Sequence, residues 1–278
     1  MNPLAVKKIN RALAHLCLII ASFFFIIPFI WLVSTSLKPL TQIFTFPPEW
    51  IPHPFQWSNY SRAVEYIPFW TYLKNTAMIT IISTIGVIIS CPLVAYSFAK
   101  LEWRGRGVLF FVTLAVMMIP GQVTMIPLFL LFSKLGWVGT SLPLIIPQFF
   151  GVPFYIFLLR QFFLGLPDAL REAARIDGAS EFRIYLQIMF PLAKSAVLAV
   201  ALFQFMGSWT DFIGPLLYLT NEPSYTVSLG LQQFQSQKGS EWGLLMAVST
   251  LMTLPVIVLF FFLQKTFING ITFSGIKG

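Results

Sequence analysis

The chain has 278 residues, 57% of them hydrophobic and 10% charged, with 30 phenylalanines and a mean hydropathy of +0.79. The surface of a soluble domain needs about a quarter of its residues charged, and 18 Lys+Arg with 10 Asp+Glu fall far short of that. The composition therefore excludes a disordered chain and an ordinary soluble globule, and it points to a protein whose outer surface faces lipid.

Taken in chain order, stretches without Asp, Glu, Lys or Arg lie between Arg11 and Lys38, Lys74 and Lys100, Arg106 and Lys134, Lys134 and Arg160, Lys194 and Asp211, and Glu241 and Lys265. They are 26, 25, 27, 25, 16 and 23 residues long, against the roughly 20 apolar residues that a helix needs to cross the hydrocarbon core. Spans are expected near 12–35, 72–99, 107–132, 140–163, 193–219 and 243–264, the fifth only if Asp211 sits inside it. Six helices put both ends of the chain on one side. With the first residues inside, 13 Lys+Arg face the cytoplasm and 5 face outward, so the bias of basic residues toward the inner side sets the orientation. The net charge of +8 then follows from topology and anionic lipid headgroups, and no nucleic-acid partner is needed.

The first apolar run follows Lys7, Lys8 and Arg11 in the manner of a signal peptide. It is too long for an h-region and lacks an Ala-x-Ala exit, so it reads as a retained anchor. Residues 37–70 form an outward-facing loop rich in proline and aromatics, among them Pro47, Pro48, Trp50 and Trp57, suited to a cap at the interface. Cys17 and Cys91 fall within spans and read as packing residues. His15 and His53 are isolated, which leaves no metal site or catalytic dyad. Pro143, Pro147, Gly151 and Pro153 should bend the fourth span.

The cytoplasmic segment 164–192 carries the clearest functional signal. It reads Leu166-Pro167-Asp168-Ala169-Leu170-Arg171-Glu172-Ala173-Ala174-Arg175-Ile176-Asp177-Gly178-Ala179-Ser180. Pro167 and Asp168 suit a first helical turn, Gly178 suits the left-handed position just past a helix end, and Ser180 suits the cap of a second helix running toward Pro191. The expectation is helix, tight turn, helix. Leu170, Ala173, Ala174 and Asp177 follow helical spacing beside charged Asp168, Arg171, Glu172 and Arg175, giving a short helix with a low-profile face and a charged flank. Such a surface fits a groove on another protein better than it fits lipid, because interfacial helices bury bulky Trp, Phe or Leu.

Beyond that loop, Asp211 is the one acidic residue committed to a span, so it should face a subunit seam or a water-filled path. Gln204, Trp209, Gln122, Gln148, Tyr155 and Ser208 are polar or aromatic candidates for the same path. An outer loop over 220–241 is polar and glutamine-rich around Gln233, Gln235, Ser236, Gln237 and Lys238, and the cytoplasmic tail covers 266–278. A membrane-embedded enzyme would need a nucleophile with its base or paired carboxylates, and Asp211 stands alone in the sequence of its span. An ion-coupled transporter would need several intramembrane ionisable groups and repeated halves, and neither is visible. No Gly-x-x-x-x-Gly-Lys-Ser/Thr run occurs, so the chain lacks the P-loop route to ATP hydrolysis.

Glu172-Ala173-Ala174, then Gly178, then Ile188, Phe190 and Pro191, resembles the EAA signature of permease subunits of binding-protein-dependent ABC importers, with Phe190 where leucine is usual. The ending Asn269-Gly270-Ile271-Thr272-Phe273-Ser274-Gly275-Ile276-Lys277-Gly278, the Trp209-Thr210-Asp211-Phe212 run, and Gln232 to Gly243 resemble the carbohydrate-importing permeases related to the maltose transporter, in the subunit type with a short amino terminus. The resemblance implies an all-α, six-span type I importer permease in a bacterial or archaeal cell membrane. It implies a second homologous permease, two ATPase subunits that hold ATP and Mg, and an extracytoplasmic binding protein that delivers a sugar. No cofactor falls to this chain itself. Glu172, Ala173, Ala174, Arg175, Asp177 and Gly178 would couple to the ATPase. Gly270, Gly275, Lys277 and Gly278 would contact it again, and Gln233 to Lys238 would probe the binding protein. Permeases for glycerol phosphodiesters, polyamines or peptides share the architecture and are the alternative cargo class.

Overall fold

A computed structural model describes residues 3–236 and 239–273. Helices account for nearly all of its regular structure: α1 (Pro3–Ser36), α2 (Ser58–Tyr66), α3 (Phe69–Lys100), α4 (Arg106–Met117), α5 (Gly121–Lys134), α6 (Leu142–Ile145), α7 (Pro153–Leu164), α8 (Ala169–Ile176), α9 (Glu181–Ile184), α10 (Lys194–Trp209), α11 (Ile213–Tyr218) and α12 (Trp242–Phe273), with shorter helical turns between them. Gln235–Ser236 and Gly239–Ser240 pair as a short antiparallel hairpin. Among the described residues four helices are long and apolar enough to cross a membrane, or up to six if each of two bent pairs is one span.

The bent pairs fall where proline interrupts the ladder. Over the segment expected as one span near 107–132, α4 and α5 meet at 100°. Pro120 stands just before α5; it has no N–H to donate and disfavours helical backbone at Ile119, so Met118 and Ile119 close α4 with tight bonds to Ala115 and Val116 instead. The segment from Glu181 to Leu192 meets α10 at 77°, with Pro191 in its last turn. The stretch 193–219 also departs from one helix. α10 stops at Trp209, and α11 starts anew after Asp211, whose Oδ1 accepts the Gly214 N–H at 3.1 Å. A short carboxylate that satisfies an orphan donor favours a new start over continuation. The fourth span is broken as its prolines require: α6, a 3₁₀ turn over Ile146–Phe150, Gly151 at φ 91°, then α7.

Two compact units are distinguishable. The first holds the chain up to Phe69 with Leu231–Pro255. Here Asn59 is buried and donates to the last carbonyls around the end of α1, Ser36 O at 2.9 Å and Lys38 O at 3.0 Å. Lys38, counted above among the outward charges, is buried with its Nζ 3.9 Å from the Trp31 ring centroid, the kind of contact that stabilises a desolvated ammonium. Over Asn10–Ser36, α1 buries none of its most apolar window.

The second unit holds Trp70–Gly230 with the residues from Val256. Its core runs through Val87, Cys91, Ala95 and Tyr96 of α3, Ile156, Leu159 and Phe163 of α7, and Met189, Ala193, Val197 and Val200 around the start of α10. Alanines at 95, 99, 193 and 196 let helix backbones approach closely. Cys91 is buried there as a free thiol, while Cys17 is exposed on α1. This core continues into Ala174, Ile184 and Tyr185, so the loop 164–192 is seated on the helices instead of hanging from them.

Candidate functional site

α8 ends as its sequence dictates. Gly178 has φ 80°, its N–H donates to Arg175 O at 3.0 Å, and the Ala179 N–H donates to Ala174 O at 3.0 Å. These two bonds make the Schellman closure that a left-handed glycine permits. Ser180 Oγ accepts the Arg183 N–H at 3.4 Å and opens α9. Pro167 and Asp168 precede α8, yet the Asp168 carboxylate makes no cap bond to the helix.

That carboxylate is taken by Lys100, whose Nζ donates to Asp168 Oδ1 at 2.7 Å and to Leu166 O at 2.7 Å. The hydrogen bond from Lys100 holds the Asp168 carboxyl below the usual carboxylate range. Arg171 donates twice to Glu181, Nε to Oε2 at 3.1 Å and Nη2 to Oε1 at 2.8 Å, and this pairing raises the Arg171 guanidinium above its ordinary value. The Tyr96 hydroxyl donates to Glu181 Oε2 at 3.0 Å. Arg175 reaches Glu181 only at 3.5 Å and stays exposed.

The face that α8 presents differs from the spacing-based expectation at one point. Ala174 is 8% exposed and packs into the core; one residue advances the helix by about 100°, so Ala173 and Ala174 cannot both lie at the centre of one face. Glu172, Ala173, Asp177 and Gly178 are exposed. Ile176, 86% exposed, shares that surface and was passed over by the sequence reasoning. An isoleucine flanked by charge on a polar loop is the signal that marks it.

A second constellation lies in the spanning region. Gln148, Gln204, Ser208, Asp211 and Thr226, with Ile79, Leu144, Gly207 and Pro215, line a cavity of about 210 Å³. Gln204 is buried, and Ser228 Oγ donates to the Asp211 backbone carbonyl. Gln204 and Asp211 thus line one cavity, with Gln148 and Ser208 beside them. Trp209 is not with them: it is buried and stacked on Phe205, ring centroids 5.4 Å apart. A helical advance of one residue from Ser208 turns it off the cavity. Gln122 is exposed at the start of α5, and Tyr155 packs against the core.

In the loop over 220–241 Gln233 is half-buried, Gln235 exposed, and Ser236 lies in the hairpin. Gly270 falls within α12. Gln237, Lys238, Gly275, Lys277 and Gly278 lie outside the described residues. Among the described residues no group of three or more His, Cys, Asp and Glu is placed to hold a metal ion.

Apolar helices long enough to cross a membrane, some of them in bent pairs, with an amphipathic helix–turn–helix packed on their core, define a polytopic all-α membrane protein. Residues 82–272 match the inner membrane component family of binding-protein-dependent transport systems, and the chain belongs to that family. It is 36% identical to the arabinooligosaccharides transport system permease protein of Halalkalibacterium halodurans over 76% of this chain and 75% of that one. It is 31% identical to the protein of the same description from Bacillus subtilis, over 98% of this chain and 97% of that one. A chain of a bacterial ABC transporter involved in the import of the acidic polysaccharide alginate shares the fold, with a TM-score of 0.80 at 24% identity over 94% of this chain and 97% of its own.

Proposed function

We propose that this multi-pass inner-membrane subunit carries a sugar or short oligosaccharide delivered by an extracytoplasmic binding protein, driven by separate ATPase subunits that hold ATP and Mg. It works beside a second homologous permease, and both ends of the chain face the cytoplasm. The cargo class rests on the arabinooligosaccharide permeases to which the chain is related. The coupling role rests on one observation: α8 turns Glu172, Ala173, Ile176 and Asp177 outward on a helix whose other side is fixed in the core.

A docked helix transmits work only if its contacts differ between the two end states of the transporter. Ala173 leaves the surface low enough for a groove, Ile176 supplies apolar area, and Glu172 and Arg175 supply charge at the rim. Within the spans, Asp211, Gln204, Gln148 and Ser208 offer donors and acceptors to the hydroxyls of a passing sugar.

Glu172→Lys and Ile176→Asp test the coupling reading. Both variants should reach the membrane in normal amount and bind the second permease. Both should lose retention of the ATPase subunit and substrate-stimulated ATP hydrolysis. Normal stimulated hydrolysis in both would sink it.

A further inference from the structure

We infer that Tyr96 and Lys100 on α3 are the positioning residues through which displacement of α8 enters the membrane-spanning helices. This rests on the coupling role proposed for α8. Residues four apart lie on the same face of a helix, one turn above the other, so Tyr96 and Lys100 form one polar edge at the cytoplasmic end of α3. They hold the two ends of the coupling motif. Lys100 grips the segment just before α8, at Leu166 O and Asp168 Oδ1, both at 2.7 Å. Tyr96 grips Glu181, the first residue of α9, which in turn holds Arg171 of α8 through two bonds.

The chemistry suits a mechanical joint. Hydrogen bonds weaken steeply with distance and angle, so contacts built from them fix relative position. The Lys100 side chain is 3% exposed, so its ammonium sits where charge interactions are stronger than in water. Pulling Asp168 away would leave the buried Lys100 ammonium with the Leu166 carbonyl as its remaining acceptor, which is unfavourable. The joint therefore resists separation, and α8, α9 and the last turn of α3 should move as one body. Below the polar edge the same turn of α3 is packed by Ala95 and Ala99 into the core that includes Ala174 and Ile184, which leaves no slack between the two attachments.

The test uses the complete importer in proteoliposomes with its binding protein, and arabinotriose as the probe. The variants are Lys100→Met, Asp168→Asn and Tyr96→Phe, the last removing a single oxygen atom from a side chain that otherwise packs unchanged. Sugar delivered per ATP hydrolysed should fall by about 2- to 30-fold, the span expected for residues between two coupled sites, while the ATPase subunit stays bound and hydrolysis continues. Lys100→Arg and Asp168→Glu should recover most of the lost ratio.

An unchanged ratio in all three variants overturns the inference. So does a parallel fall of uptake and hydrolysis with loss of the ATPase subunit, because that outcome assigns these residues to docking or folding alone. A wild-type importer that takes up no arabinotriose refutes only the cargo tested. The binding protein's stimulation of ATP hydrolysis then serves as the readout for the same variants: its loss with the ATPase subunit still bound is the expected result, and unchanged stimulation in all three, or loss together with the ATPase subunit, overturns the inference.

Discussion

Replacing Gly178 by alanine perturbs one backbone angle and nothing else in the vicinity. A Cβ built at this position meets no atom within 4 Å, while φ is 80°. The substitution therefore makes no clash, and its whole effect is the left-handed penalty, about 1–2 kcal/mol for a residue carrying a Cβ. That lowers the ratio of closed to open turn by a factor of about 5–30. Gly178 N–H and Ala179 N–H then lose their acceptors at Arg175 and Ala174, and the end of α8 frays next to Ile176 and Asp177. Affinity of the permease for its ATPase subunit, measured by titration in nanodiscs, should fall in Gly178→Ala by at most that factor, since it follows the fraction of closed turn. Gly178→Asn should lie between alanine and wild type, because asparagine tolerates the left-handed region, and Gly178→Val should be worse than alanine. The thermal midpoint should hardly change, since an exposed turn contributes little to the core. Wild-type affinity in both the alanine and valine variants would refute the claim that this turn shapes the docking surface.

Gly214→Ala should behave like loss of Asp211, because the new Cβ would collide with the Asp211 carboxylate and come to 2.8 Å from Leu144 Cδ2; sugar uptake should drop with assembly intact, whereas uptake at the wild-type level would separate Asp211 from the transport path. Phe163→Ala removes a side chain with no exposure that packs against Tyr96, ring centroids 5.7 Å apart, and should lower unfolding stability by about 3–5 kcal/mol, read from thermal or denaturant unfolding in detergent. The Asp168 carboxyl is held below its ordinary range by Lys100. Its contribution is therefore fully present above the ordinary carboxylate range and is lost as pH falls through the lowered folded value. Asp168→Asn should flatten the acid side of the stability profile and leave neutral pH nearly unchanged in slope, and a mutant profile parallel to wild type would contradict the pairing.

The parts that sequence made legible are those whose physics is local. Charge-free runs mark apolar helices because hydrocarbon excludes charge whatever the tertiary arrangement. The turn after α8 was readable because a left-handed position, a glycine and a following serine cap all fall within four residues, and the structure has each of them. The breaks were less readable. Pro120 was passed over inside a 27-residue charge-free run, since proline within a span can kink it slightly or end it, and only the neighbouring helices decide which. The same holds for Asp211, where spacing could not tell a buried residue of one helix from the cap of the next.

What remained hidden is long-range pairing. Arg171 and Arg175 look alike in sequence, both basic, both on α8 and four residues apart, yet Arg171 is tied through Glu181 to Tyr96 while Arg175 stays exposed. The α3 partners of this network, Tyr96 and Lys100, lie 85 and 66 residues from the groups they hold, a separation over which no periodicity carries information. Function follows the same division. The surface that α8 offers to a partner is encoded in a dozen consecutive residues, so it can be recognised from a motif. The attachment that turns a displaced helix into a moved span depends on which face of α3 reaches it, and that face is set by Val87, Cys91 and Ala95 packing one turn after another toward Tyr96 and Lys100.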